Sequence, residues 1–138
     1  MSETNKDIIR RMFDDVLNGG RLGLLDTIIG AAYVDHSPTA GQGPGASGVK
    51  AKVAALREAF PDVRFTLEEI VGEDETVAAR YHWRGTHRAA FLGIPPTGKA
   101  ILVRGMDFYR LRDHRIVEHW DNVDDLGMLT QLGDLEGG

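Results

Sequence analysis

Near its end the chain runs Arg115-Ile-Val-Glu-His-Trp-Asp-Asn-Val-Asp-Asp-Leu-Gly-Met-Leu, with an imidazole and a carboxylate two residues apart in an otherwise strand-like segment. The segment reads as a short strand, Ile116 to Asp121, running into a helix. Side chains alternate across a strand, so Val117, His119 and Asp121 are expected on one face, and Ile116, Glu118 and Trp120 on the other. Histidine and aspartate are poor sheet formers and costly to bury. Polar residues kept at that cost among good strand formers point to proton transfer, which makes Asp121 and His119 the candidate acid/base pair. A second carboxylate, Asp107, sits on the preceding strand pattern with Val103, Gly105 and Tyr109 on its side.

Each of these residues also has a structural reading. Asp121 could cap the following helix, a role for which Asp124 and Asp125 compete. His119 could be a buried histidine satisfied by the backbone. Asp107 could pair with Arg104 or Arg110 at a strand edge. His119-Trp-Asp121 also has the His-x-carboxylate opening of an iron facial triad, but no histidine follows it. Zinc would need the distant His36 or His87. No metal is expected.

The elements that must position these residues follow from periodicity. Ile8, Ile9, Met12, Phe13, Val16 and Leu17 have the three-and-four spacing of an amphipathic helix over residues 4–18, with Thr4 and Asp7 as its N-terminal signal. A short helix is expected from Leu22 to Ile29, an extended piece from Ala31 to His36, and a third helix with Ser47 as cap and Pro61 as stop. Between them Ser37–Gly48 is rich in glycine and proline and is the one loop long enough to rim a pocket. The remainder alternates. Strands are expected from Val63, from Thr76 to Thr86, from Ala100 to Leu111 and from Ile116 to Asp121, with a bulge near Ile70-Val71. Helices first and antiparallel strands afterwards make an α+β domain spanning 1–138, a curved sheet closed over helices with a pocket between. Arg80, His82 and Arg84 belong on the outer face of that sheet.

Composition narrows the partners. The 138 residues carry a net charge of -5, with no basic run, which argues against nucleic acid. No apolar run is long enough to span a membrane, and the first residues, Met-Ser-Glu-Thr-Asn-Lys-Asp, have no secretory pattern. The absence of cysteine removes disulfide and thiolate chemistry. A cytoplasmic location is the expectation.

Six short motifs occur in order along nearly the whole chain: Val34-Asp-His-Ser-Pro, Ala59-Phe-Pro-Asp, Gly85-Thr-His, Phe91-Leu-Gly-Ile-Pro-Pro-Thr-Gly-Lys, Arg104-Gly and Ile116-Val-Glu-His-Trp-Asp. Together they resemble the SnoaL-like polyketide cyclase family, many of whose members are described only as ester cyclases. The resemblance implies the cone-shaped roll of nuclear transport factor 2 and ketosteroid isomerase, a mostly antiparallel sheet wrapped around three N-terminal helices. It implies a homodimer, a deep apolar pocket and chemistry without a cofactor. It further implies intramolecular aldol closure of a polyketide methyl ester, with Asp121 at the general acid/base position and Asp107 where characterised members carry a histidine. A flat, hydrophobic substrate would lie against Trp83, Phe91, Tyr109 and Phe13, with His36 at the mouth; the structural alternatives are a plain core role for these aromatics and, beside His36, a turn built by Asp35 and Ser37. Within the same fold, isomerisation, hydroxylation or hydrolysis by an Asp107–Arg104–Asp121 set is the alternative, and a non-catalytic ligand-binding pocket is another.

Overall fold

The computed structural model describes residues 4–133; residues 1–3 and 134–138, the ends of the expected 1–138 domain, lie outside the described residues. Helix α1, Asn5–Arg11, begins at a capping box: the Thr4 hydroxyl accepts from the Asp7 N–H, and the Asp7 carboxylate accepts from the Thr4 N–H. The helix continues as a wider π-helical stretch, Met12–Asn18, whose inward side chains Met12, Phe13 and Val16 are buried. A single 3₁₀ turn and α2, Leu25–Ile28, lead into β1, Ile29–Asp35. Helix α3, Gly45–Ala59, is followed by β2, Arg64–Glu73, β3, Thr76–Thr86, β4, Ala100–Arg112, β5, Arg115–Val123, and α4, Asp125–Leu132.

The five strands form one sheet in the order β1-β5-β4-β3-β2. Four are antiparallel neighbours, and β1 joins β5 in parallel at one edge. The concave face buries Val77, Ala79, Tyr81 and Trp83 from β3 and Val103, Tyr109 and Leu111 from β4 against Ile8, Phe13, Leu25 and Ile28 of the helices. The alternating burial of β3 and β4 is the period-two pattern visible in their sequences. Arg80 and His82 ion-pair with Glu68 on the opposite face, as alternation requires.

Local departures from the expected elements have local causes. Helix α3 starts at Gly45 after Pro44, so the rim loop is shorter than Ser37–Gly48; Ser47 lies in the first turn, where its hydroxyl donates to the Pro44 carbonyl instead of capping an N–H. The bulge in β2 falls between Leu67 and Glu69, ahead of Ile70. A second irregularity lies where β5 skips Val117: Arg110 pairs with Glu118, and Leu111 with Ile116. That extra residue reverses the phase at the start of β5, so Ile116 faces inward with His119 and Asp121, while Val117 lies over Gly30. The β4–β5 hairpin turns on Asp113 and His114, both with positive φ, the geometry that matches strand twist in a two-residue turn. No helix among the described residues is long and apolar enough to cross a membrane.

Candidate functional site

Strand register gathers the polar groups. Asp35 stands beside His119, His119 beside Tyr109, and Asp121 beside Asp107, on the adjacent strands β1, β5 and β4. All five side chains line one cavity of about 710 Å³ between the sheet and α3. Like charges directly opposed across a sheet are destabilising, so the Asp107–Asp121 rung costs stability.

The wiring around this rung is asymmetric. Asp107 is buried and accepts three hydrogen bonds: from Tyr81 Oη at 3.0 Å, from Tyr109 Oη at 2.6 Å and from His119 Nε2 at 3.3 Å. Tyr81 reaches it by lying flat across Gly105, its register partner on β4. A Cβ at Gly105 would stand 2.5 Å from Tyr81 Oη, so only glycine leaves room for that approach. Asp35 accepts from His119 Nδ1 at 3.1 Å, from the Ser37 N–H and from Gln42 Nε2. Both ring nitrogens of His119 are therefore engaged by carboxylates, and its ring stacks on Tyr109.

Electrostatics follow this wiring. Burial works against a charged His119, but the hydrogen bonds and charges of Asp107 and Asp35 outweigh it and lift its pKa to about 9. Burial also works to raise Asp35, yet the bonds from His119, Gln42 and Ser37 hold it well below the ordinary carboxylate range. Tyr33, Tyr81 and Tyr109 are pushed up, first by burial and then by Asp35 (Tyr33) or Asp107 (Tyr81 and Tyr109).

Asp121 differs from its neighbours. Among the described residues no donor lies within hydrogen-bond range of its carboxyl oxygens; His119 Nε2 is 3.7 Å from Oδ2 and Lys52 Nζ 3.9 Å. Burial and then the Asp107 charge raise its pKa, only partly countered by Lys52 and His119. Its backbone N–H donates to Ser37 Oγ at 3.0 Å, which fixes the strand against the rim loop. The capping alternative falls to Asp124, whose carboxylate accepts from the Gly127 N–H at the start of α4. Asp121 stays inside β5.

Phe13, Trp83, Phe91 and Tyr109 all line the cavity. Phe13 meets Tyr81 edge-on, and Phe60, behind the wall, meets both Trp83 and Phe91 edge-on. His36 is a correction. It lies on the outer face, exposed, stacked on Trp120 at 4.6 Å and paired with Glu118. The cavity side of that segment belongs to Tyr33 and Asp35, because alternation along β1 sends Val34 and His36 outward. Arg104 also faces away and is exposed, so the Asp107–Arg104–Asp121 set does not assemble.

Sequence reasoning missed Tyr33, Asp35, Tyr81 and Lys52. Lys52 had a readable signal. It lies three residues after Val49 and four before Leu56, inside the apolar stripe of α3, where a charge is out of place.

Asp107, His119 and Asp121 bring ligand atoms within 4.8 Å of one another. A metal needs a neutral imidazole lone pair. Here Nε2 donates to Asp107, and Asp107 is already occupied by two phenols.

The comparisons with known proteins agree with this geometry. A profile of the SnoaL-like polyketide cyclase matches residues 7–132. The aklanonic acid methyl ester cyclase DnrD of Streptomyces peucetius is 31% identical over 138 residues, covering 95% of this chain and 92% of its own. TsrD of Streptomyces laurentii superposes with a TM-score of 0.85 at 26% identity, over 96% of this chain and 100% of its own. IdmH of Streptomyces antibioticus superposes with a TM-score of 0.82 at 34% identity, over 95% of this chain and 99% of its own. A cone-shaped α+β roll, a cavity ending in carboxylates and a profile match over nearly the full length carry one conclusion: the chain belongs to the SnoaL-like polyketide cyclase family of enzymes.

Proposed function

We propose that this enzyme closes a ring by intramolecular aldol condensation of a polyketide methyl ester, with Asp121 as the proton carrier and no cofactor. The relative DnrD is named for cyclising aklanonic acid methyl ester, and that compound is the first substrate to test. The observation that carries the reading is the isolation of Asp121. Of the four groups at the cavity end, Asp35, Asp107 and His119 have their polar atoms tied to one another, to phenols, or to Ser37 and Gln42, and Asp121 alone presents to the cavity a carboxyl without a hydrogen bond.

Aldol closure needs one group to act twice. The carboxylate of Asp121 takes the proton from a carbon beside a carbonyl, and the C–H electron pair becomes the enolate. The enolate carbon attacks the ketone carbon, a C–C bond forms, and the alkoxide takes the proton back. Such a carrier works best when its pKa lies near the working pH. Burial and Asp107 move Asp121 in that direction. His119, held charged between two carboxylates, is a fixed counter-ion rather than a base.

The test is Asp121→Asn, which keeps the size and removes the proton. Turnover of aklanonic acid methyl ester should fall by ~10²–10⁴ while the melting temperature holds or rises, because the opposed Asp107–Asp121 charges are relieved. Full turnover in that variant would end the reading.

A further inference from the structure

The enolate formed when Asp121 takes a proton carries a full negative charge, and something must face it. His119 is not available, since its two N–H groups point at Asp35 and Asp107. Tyr81 and Tyr109 give their hydroxyl protons to Asp107. Ser37 Oγ is turned to the backbone of Asp121. Lys52 remains. It is the one Lys or Arg among the described residues that lines the cavity, and its Nζ stands 3.9 Å from Asp121 Oδ2, too far for a hydrogen bond and close enough to share a substrate.

We propose that Lys52 is a catalytic residue of the ring closure, its ammonium holding the carbonyl oxygen next to the carbon that Asp121 deprotonates. This inference rests on the aldol reading above and assigns the electrophile that the reading lacks.

Two arguments support it. The first is distance. A near-attack carbon sits about 3 Å from the base oxygen, and an oxyanion donor works at about 2.7–3.1 Å. The α-carbon and the carbonyl oxygen are two bonds apart, so groups separated by 3.9 Å can meet both at once. The second is charge. Before proton transfer the negative charge is on Asp121; afterwards it is on the enolate oxygen. Lys52 adjoins both positions, so the ammonium faces the charge throughout and nothing has to reorient. Without it, the enolate would face two carboxylates, Asp35 and Asp107, against the single charge of His119. The ligand chemistry this selects is a neutral, planar polycyclic ketone or quinone that becomes anionic during reaction, held by the aromatic wall with one oxygen at Lys52.

The experiment uses alizarin, a hydroxyanthraquinone whose phenol changes colour on ionisation, together with Lys52→Met and Lys52→Arg. Bound to the unaltered enzyme, alizarin should ionise at lower pH than in water, because Lys52 favours the phenolate. Lys52→Met should shift that midpoint upward by a pH unit or more, and Lys52→Arg should restore most of it. Turnover of aklanonic acid methyl ester at its pH plateau should fall ~10–10³-fold in Lys52→Met, with melting unchanged. An identical alizarin midpoint in the unaltered enzyme and Lys52→Met, or failure of alizarin to bind at all, overturns the role of Lys52. The aldol reading fails separately: if the unaltered enzyme leaves the methyl ester untouched while the alizarin shift still depends on Lys52, the oxyanion site stands and the reaction is a different one.

Discussion

His119 makes a quantitative prediction about stability and pH. Its pKa is about 9 in the folded protein and 6.5 when unperturbed. A group whose folded pKa is raised binds its proton more tightly in the native state. Its contribution is complete below pH 6.5 and is lost as pH rises to about 9. At ~1.4 kcal/mol per pH unit this gap is worth roughly 3 kcal/mol, or about 10 °C in melting temperature for a domain of this size. The source is visible: two carboxylates at 3.1 and 3.3 Å hold a ring that burial alone would neutralise. Tyr33, Tyr81 and Tyr109 are raised too, but their losses begin only as free tyrosine ionises near pH 10. The window from pH 6.5 to 9.5 therefore isolates histidine. Urea unfolding followed by tryptophan fluorescence, at half-unit steps, should show the free energy falling through this window. His119→Gln keeps hydrogen-bonding capacity without titrating and is the reference, so the difference in slope between the two proteins belongs to His119 and the expected slope of the variant is the smaller. Equal slopes in the two proteins, or a His119 ring that titrates by NMR near pH 6.5, would refute the wiring described for the site.

Three further outcomes follow. Gly105→Ala puts a Cβ 2.5 Å from Tyr81 Oη; it should cost ~1–3 kcal/mol by overpacking and detach the phenol from Asp107, and an unchanged urea midpoint would contradict that. If the proposed carboxylate proton transfer holds, turnover should survive exhaustive chelation; activity lost to chelator and restored by zinc or iron would assign Asp107, His119 and Asp121 to a metal. The outer sheet face exposes Met106 and Phe108 beside the half-buried Trp120, and it should pair two copies of the chain; light scattering that finds only a 15.2 kDa species at micromolar concentration would argue against a dimer.

What could be read in the sequence was local. The bounds of β3, the capping box of α1 and the shared face of Val103, Gly105, Asp107 and Tyr109 follow from period-two or period-3.6 patterns within one element. Asp107, His119 and Asp121 stood out because polar residues interrupt apolar strands. Asp35 could not be linked to His119 in this way, because the two lie 84 positions apart and meet only when β1 joins β5 in parallel at the sheet edge. Sequence alone does not separate His36 from Asp35 as the inward residue for the same reason: without that pairing the inward parity of β1 is undefined. Ile116 went to the wrong face because a bulge at Val117 adds one residue to the count. The phenol of Tyr81 depends on a neighbouring strand and on the space above Gly105, neither of which is written in the residues around it.

The arrangement explains why a fold would keep Asp35, Asp107 and Asp121 together at one end of an apolar cavity. Asp35 and Asp107 each spend their oxygens on hydrogen bonds, and between them they fix His119 as a cation. Asp121 faces these two carboxylates and the imidazolium held between them. That background, added to burial, is what raises Asp121, while Lys52 pulls the other way and keeps its carboxylate form accessible. Burial first, and then these charged groups, set the proton affinity of Asp121. Removing Asp107 would cost more than a hydrogen bond, because Tyr81, Tyr109 and His119 would all lose their shared acceptor at once. On the proposed mechanism, the opposed Asp107–Asp121 rung, unfavourable as sheet structure, adds to burial in raising the proton affinity that Asp121 needs.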